Sequence, residues 1–138
     1  MPPLIGDAAV KTRRLKAWLG WLAVMALCVV IYVQSCYPPL ELGPRFQFRD
    51  KILHAVVYGL LAALFSHACR ASWPGRTAAL PLLVISAAFA TLYGVSDEIH
   101  QSFVASRQLD VADGVANFVG SLLGALGAMR VAARRGGG

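Results

Sequence analysis

The sequence gathers its apolar residues into four runs, each long enough to cross a lipid bilayer. A helix rises about 1.5 Å per residue, so roughly 20 mostly apolar residues span the hydrocarbon core. The runs cover residues 17–33, 50–69, 77–96 and 111–131. Within lipid every backbone polar group must find its partner inside the protein, which selects helices for runs of this length. Little of the 138 residues is left for a separate soluble domain. Composition agrees: 57% hydrophobic and 14% charged, against about 45–50% and about 25% in soluble domains. The expected fold is all-α, a polytopic bundle of four transmembrane helices over residues 17–131. A basic N-terminal segment, 1–16, precedes it and a basic tail, 132–138, follows.

The breaks between runs are chemically explicit. Residues 1–10 are expected to be irregular. Lys11, Arg13, Arg14 and Lys16 then precede the first run in the manner of a signal-peptide n-region. That run exceeds the usual apolar core of about 7–15 residues, so it reads as a retained anchor. Tyr37-Pro38-Pro39 and Gly43-Pro44 mark a loop, and Arg70-Ala-Ser-Trp-Pro-Gly-Arg76 a basic turn. The third helix is allowed to continue through Gln101, and the fourth starts at Asp110 or Val111. With the N-terminus cytoplasmic, nine Lys/Arg lie on the inner side and four on the outer, from the 13 present. The positive-inside rule therefore puts both termini in the cytoplasm of a plasma-membrane protein. Six of the seven acids, all but Asp7, then fall on the extracytoplasmic side.

Those acids belong to a patterned set. Asp50, Lys51, His54 and Tyr58 recur at offsets of three and four on the second helix, a spacing that shares one helical face. Tyr93, Asp97 and Gln101 do so on the third, and Asp110, Asp113 and Asn117 on the fourth, with Glu98 and Arg107 between. Ionisable groups within a membrane helix cost about 2.5–3.5 kcal/mol each at the centre and less at the boundary. Taken singly they are interfacial caps, with Asp110 or Asp113 capping the fourth helix. Taken together they describe a polar funnel entering the outer leaflet. Gly120 and Gly124 continue a four-residue stripe of small residues from Ala112 to Ala128. Such a stripe suits close approach of helices, within the bundle or at a dimer seam. His67 and Ser66 read as interfacial.

Other classes are excluded. The net charge of +6 flanks the apolar runs rather than forming a stripe interleaved with aromatics, so nucleic acid is not expected as a partner. Cys28, Cys36 and Cys69 have no metal-ligand spacing. No cofactor and no metal are expected.

Two stretches carry a resemblance. Asp50-Lys51-x-x-His54-x-x-x-Tyr58-Gly-Leu-Leu61 resembles the second-helix motif of VanZ-like proteins. Tyr93-Gly-Val-Ser-Asp97-Glu98-Ile-His-Gln101-Ser-Phe103, followed by Arg107, Asp110, Asp113, Asn117 and Gly120, resembles their second motif. Ser35-Cys-Tyr-Pro38 is similar to the Ser-x-x-Pro after their first helix, and the likeness covers residues 17–130. It implies a small membrane protein with a link to low-level resistance against teicoplanin-type glycopeptides.

Three functions fit these residues. In the first, Lys51, Arg107 and His54 hold the anionic headgroup of a membrane lipid or a lipid-linked cell-wall precursor, Arg107 gripping phosphate bidentately. In the second, a membrane-embedded enzyme uses His54 as general base, oriented by Asp50 or Asp97. Its carboxylates alternatively bind Mg²⁺ or Ca²⁺, and Ser96 and Ser102 are its candidate nucleophiles. In the third, the funnel serves a transporter or flippase.

Overall fold

The computed structural model describes residues 5–38, 48–104 and 109–136. They form four helices: α1 (Ile5–Ser35), α2 (Arg49–Ser72), α3 (Ala79–Gln101) and α4 (Val111–Gly136). All four are long and apolar enough to cross a membrane. The chain is an all-helical, multi-pass membrane protein.

The helices differ from the sequence expectation at their ends. Residues 5–10, expected to be irregular, belong to α1. The stretch from Asp7 to Lys16 lacks glycine and proline and is rich in good helix formers. The apolar run behind it also carries the cost of nucleation. At 31 residues α1 is about 46 Å long. Its exposed basic turns therefore project beyond a hydrocarbon core of about 30 Å. α4 likewise continues past Val131 to Gly136, α2 past Cys69 to Ser72, and α3 runs unbroken to Gln101. Between α2 and α3, Trp73-Pro74-Gly75-Arg76 makes a tight turn, with the Arg76 N–H donating to the Trp73 carbonyl. Gly75 has φ +74°, the left-handed value that the third residue of a type II turn requires.

α2 is the hub, packed against α1, α3 and α4, while α1 and α4 do not touch among the described residues. Small residues draw the helices together. A Cβ on Gly120 would run into the Ala55 backbone, and one on Gly124 into the Gly59 backbone. The small-residue stripe of α4 therefore lies against Ala55 and Gly59 of α2, inside the bundle. Gly20 sits close over Ala68 in the same way. The interior is thin: Val24, Leu61, Ala62, Ala90 and Ala125 are buried, with Phe65 stacked on Phe89 and Trp21 edge-on to Phe65 beside them. Leu22, Met25, Val30, Leu60, Leu80, Leu92 and Leu123 face outward, as lipid contact demands. At the end bearing both termini, the gap between α1 and α4 is a groove of about 1360 Å³. Arg13, Lys16, His67, Arg70 and Arg135 are among the residues that line it. The acidic and histidine side chains of interest lie at the other end, called the head below.

Candidate functional site

The head holds two adjoining polar clusters, separated by one step along α3. Consecutive helical residues point about 100° apart, so Asp97 and Glu98 face different neighbours. Asp97 turns toward α1 and α2, and Glu98 toward His54 of α2.

Asp97 is the acceptor of a closed knot. Tyr58 Oη donates to Asp97 Oδ2 at 2.7 Å, and Gln101 Nε2 donates to the same oxygen at 2.8 Å. The Ser35 hydroxyl donates to Asp97 Oδ1, and Gln101 Nε2 also reaches Ser35 Oγ at 3.3 Å. Tyr58, Ser35, Asp97 and Gln101 are all buried. Three helices are thus tied by one carboxylate, whose partners satisfy both its oxygens. Tyr93, one helical turn below Asp97, donates instead to the Cys28 carbonyl at 2.7 Å and fixes α3 against α1.

Glu98 is the centre of the second cluster. Its side chain is 7% exposed, and its Oε1 has no hydrogen-bond partner among the described residues. His54 Nδ1 lies 3.6 Å from that oxygen and donates to Asn117 Oδ1 at 2.9 Å. His54 Nε2 is 3.9 Å from Asp113 Oδ2. The floor of the cluster is Asn117, which is 1% exposed and lies against Gly94, where a Cβ would collide with its side chain. Lys51 closes the mouth, its Nζ 2.8 Å from Asp110 Oδ2 and 3.1 Å from Asp113 Oδ1. Asp110 also accepts the Ala112 N–H at 2.8 Å, which makes it the N-cap of α4. The Lys51 ammonium and the Ala112 N–H hold the Asp110 carboxyl below the ordinary carboxylate range.

The sequence-level set therefore divides. The fold brings His54, Glu98, Asp113, Asn117, Lys51 and Asp110 into one cluster, and Tyr58, Asp97 and Gln101 into the other. Asp50 is exposed and joins neither among the described residues. Arg107 lies outside the described residues. His54 is oriented by Asn117, not by Asp50 or Asp97. Ser96 and Ser102 are exposed and bonded to their own helix carbonyls, Tyr93 O and Ile99 O, away from His54. Sequence reasoning noted Ser35 only within the Ser35-Cys-Tyr-Pro38 resemblance and missed its bond to Asp97. It also missed Cys36 Sγ beside His100 Nε2 at 3.4 Å, with the His100 ring against Tyr32. No spacing rule links residues 64 apart.

A thin four-helix membrane bundle with acids, a histidine and an asparagine gathered at one end is the architecture that the head and its flanks define. The family described as VanZ/LLP1 matches residues 17–132, and the chain belongs to that VanZ-like family. No curated protein and no solved structure gives a significant match.

Proposed function

We propose that the chain binds the headgroup of a membrane lipid or lipid-linked wall precursor at the extracytoplasmic face of the plasma membrane. The observation that carries this reading is the placement of the Glu98 cluster. It lies at one end of a bundle whose flanks are apolar, part-exposed at Lys51 and Asp110, at the level where lipid headgroups sit. Lys51 beside Asp110 supplies a cation to an anionic headgroup; Arg107, the second cation expected from the sequence, lies outside the described residues. The positive-inside asymmetry supports an outward-facing head. Altered presentation of such a lipid would change how a teicoplanin-type glycopeptide reaches its target, in keeping with the family. Among the described residues His54 is hydrogen-bonded to Asn117 and to no serine, which favours binding over nucleophilic catalysis.

The test compares purified wild type with Lys51→Ala and Arg107→Ala by mass spectrometry of the co-purified lipid. Wild type is expected to retain a discrete lipid, which the double variant sheds while eluting as a folded species. Equal lipid in both proteins would sink the reading. Expressed in a host without an outer membrane, wild type should raise the inhibitory concentration of a lipid-tailed glycopeptide, and Asp97→Asn/Glu98→Gln should not.

A second reading, an enzyme acting on the same class of lipid-linked substrate, is favoured by one contact. Cys36 and His100 stand at the exposed rim as a thiol and a base within reach of each other. Retention of lipid turnover by Cys36→Ser would exclude it.

A further inference from the structure

The Glu98 cluster has the wrong sign for an anionic headgroup if it is left to its own charges. Among the described residues Asp113 and Asp110 share one ammonium, Lys51, and Glu98 lies beside the imidazole of His54. A carboxylate taken out of water without a partner is among the costliest groups in a protein, and it is retained where it is paired or coordinates a metal. Glu98 Oε1 approaches that case: it is buried, has no hydrogen-bond partner among the described residues, and lies 3.6 Å from His54 Nδ1. One ligand atom from each of His54, Glu98 and Asp113 falls within 4.8 Å of the other two. A cation at bonding distances of about 2.0–2.2 Å would draw these atoms closer together by rotation of their side chains.

From this geometry we infer that His54, Glu98 and Asp113 bind a divalent transition-metal ion of the zinc class. The inference deepens the headgroup reading and rests on the same cleft. One imidazole and two carboxylates make a mixed nitrogen–oxygen set, which suits Zn²⁺ better than the all-oxygen sites of Mg²⁺ or Ca²⁺. Two carboxylates cancel the charge of the ion, so the loaded site is neutral within a low-dielectric bundle. His54 Nδ1–H is held by Asn117 Oδ1, which leaves Nε2 as the lone-pair nitrogen. Outer partners of this kind set ligand orientation in metal sites. Three protein ligands leave a coordination position open. A phosphate oxygen is the chemistry that completes it, with Lys51 alongside, and the acidic cleft then becomes a receptor for an anion.

The experiment uses the full chain in detergent, stripped with a chelator and delipidated, titrated with Zn²⁺ alone and followed by calorimetry and metal analysis. About one Zn²⁺ per chain is expected, with Mg²⁺ failing to compete. Glu98→Gln and His54→Gln should lose binding, and Asn117→Ala should weaken it by about 10–100-fold. Asp7→Asn, at the far end, should bind as wild type does. Glu98→Gln keeps the side-chain shape, and a monodisperse elution profile checks its fold. Zinc binding that is absent from wild type, or unchanged in Glu98→Gln, overturns the inference. Because this readout contains no lipid, a metal-free protein that still co-purifies a lipid leaves the headgroup reading standing. A zinc-loaded protein without lipid overturns only the headgroup reading.

Discussion

At the scale of the residue, two neighbouring carboxylates on α3 receive opposite treatment. Asp97 collects donors from Ser35, Tyr58 and Gln101, whereas Glu98 Oε1 has no hydrogen-bond donor among the described residues. The first pattern is that of a structural anchor and the second that of a binding group. Tyr58→Phe should therefore lower stability without touching metal binding. Bonds within membrane bundles average about 0.6 kcal/mol, and bonds to charged groups are worth about 1.5–3 kcal/mol. Loss of about 1–2 kcal/mol is expected, read by denaturant unfolding in detergent with zinc titration in parallel. A variant as stable as wild type would show that Asp97 does not need the phenol. The sequence marked both acids as polar groups in an apolar setting, but their division of labour was illegible. It depends on which neighbouring helix each meets, and Ser35 and His54 lie 62 and 44 residues away from their α3 partners.

At the scale of the element, the α2/α4 contact decides the geometry of the cleft. His54 and Asn117 belong to different helices, and they meet at 2.9 Å because glycine lets the two backbones touch one and two turns below. Gly124→Leu should separate the helices, since any side chain there enters the Gly59 backbone. Aggregation or loss of monodisperse protein on size exclusion is expected, while Gly127→Leu, over open space, should behave as wild type. The four-residue repeat of small side chains was plain in the sequence. Its partner was not, because such a stripe fits a second copy or a neighbouring helix equally well. What settles the point is the matching small residue in α2, Ala55 and Gly59. Helix ends were the least legible, since α1 and α4 extend through charged turns that carry no hydropathic signal.

At the scale of the whole molecule, charge is sorted along the bundle axis. Acids and His54 crowd the head, while arginines and lysines rim the groove at the far end. The proposed orientation puts the head outside, and the cysteines offer a direct check. Cys36 is exposed at the head, whereas Cys28 and Cys69 are buried in the bundle. A membrane-impermeant maleimide applied to intact cells should label wild type once and Cys36→Ala not at all. Labelling only after the cells are opened would invert the topology and place the cleft in the cytoplasm.

The two clusters also differ in when they can exist. Every described partner of Asp97 lies on α1, α2 or its own helix, so that knot can close once the third span is in place. Glu98 must wait for Asp113 and Asn117, which arrive with the last helix to leave the ribosome. On this order of synthesis a three-helix frame is fastened at its head before α4 arrives. The Glu98 cluster is complete only with α4, the last of the four helices to be made, so under the proposed reading a nascent chain cannot yet hold the headgroup.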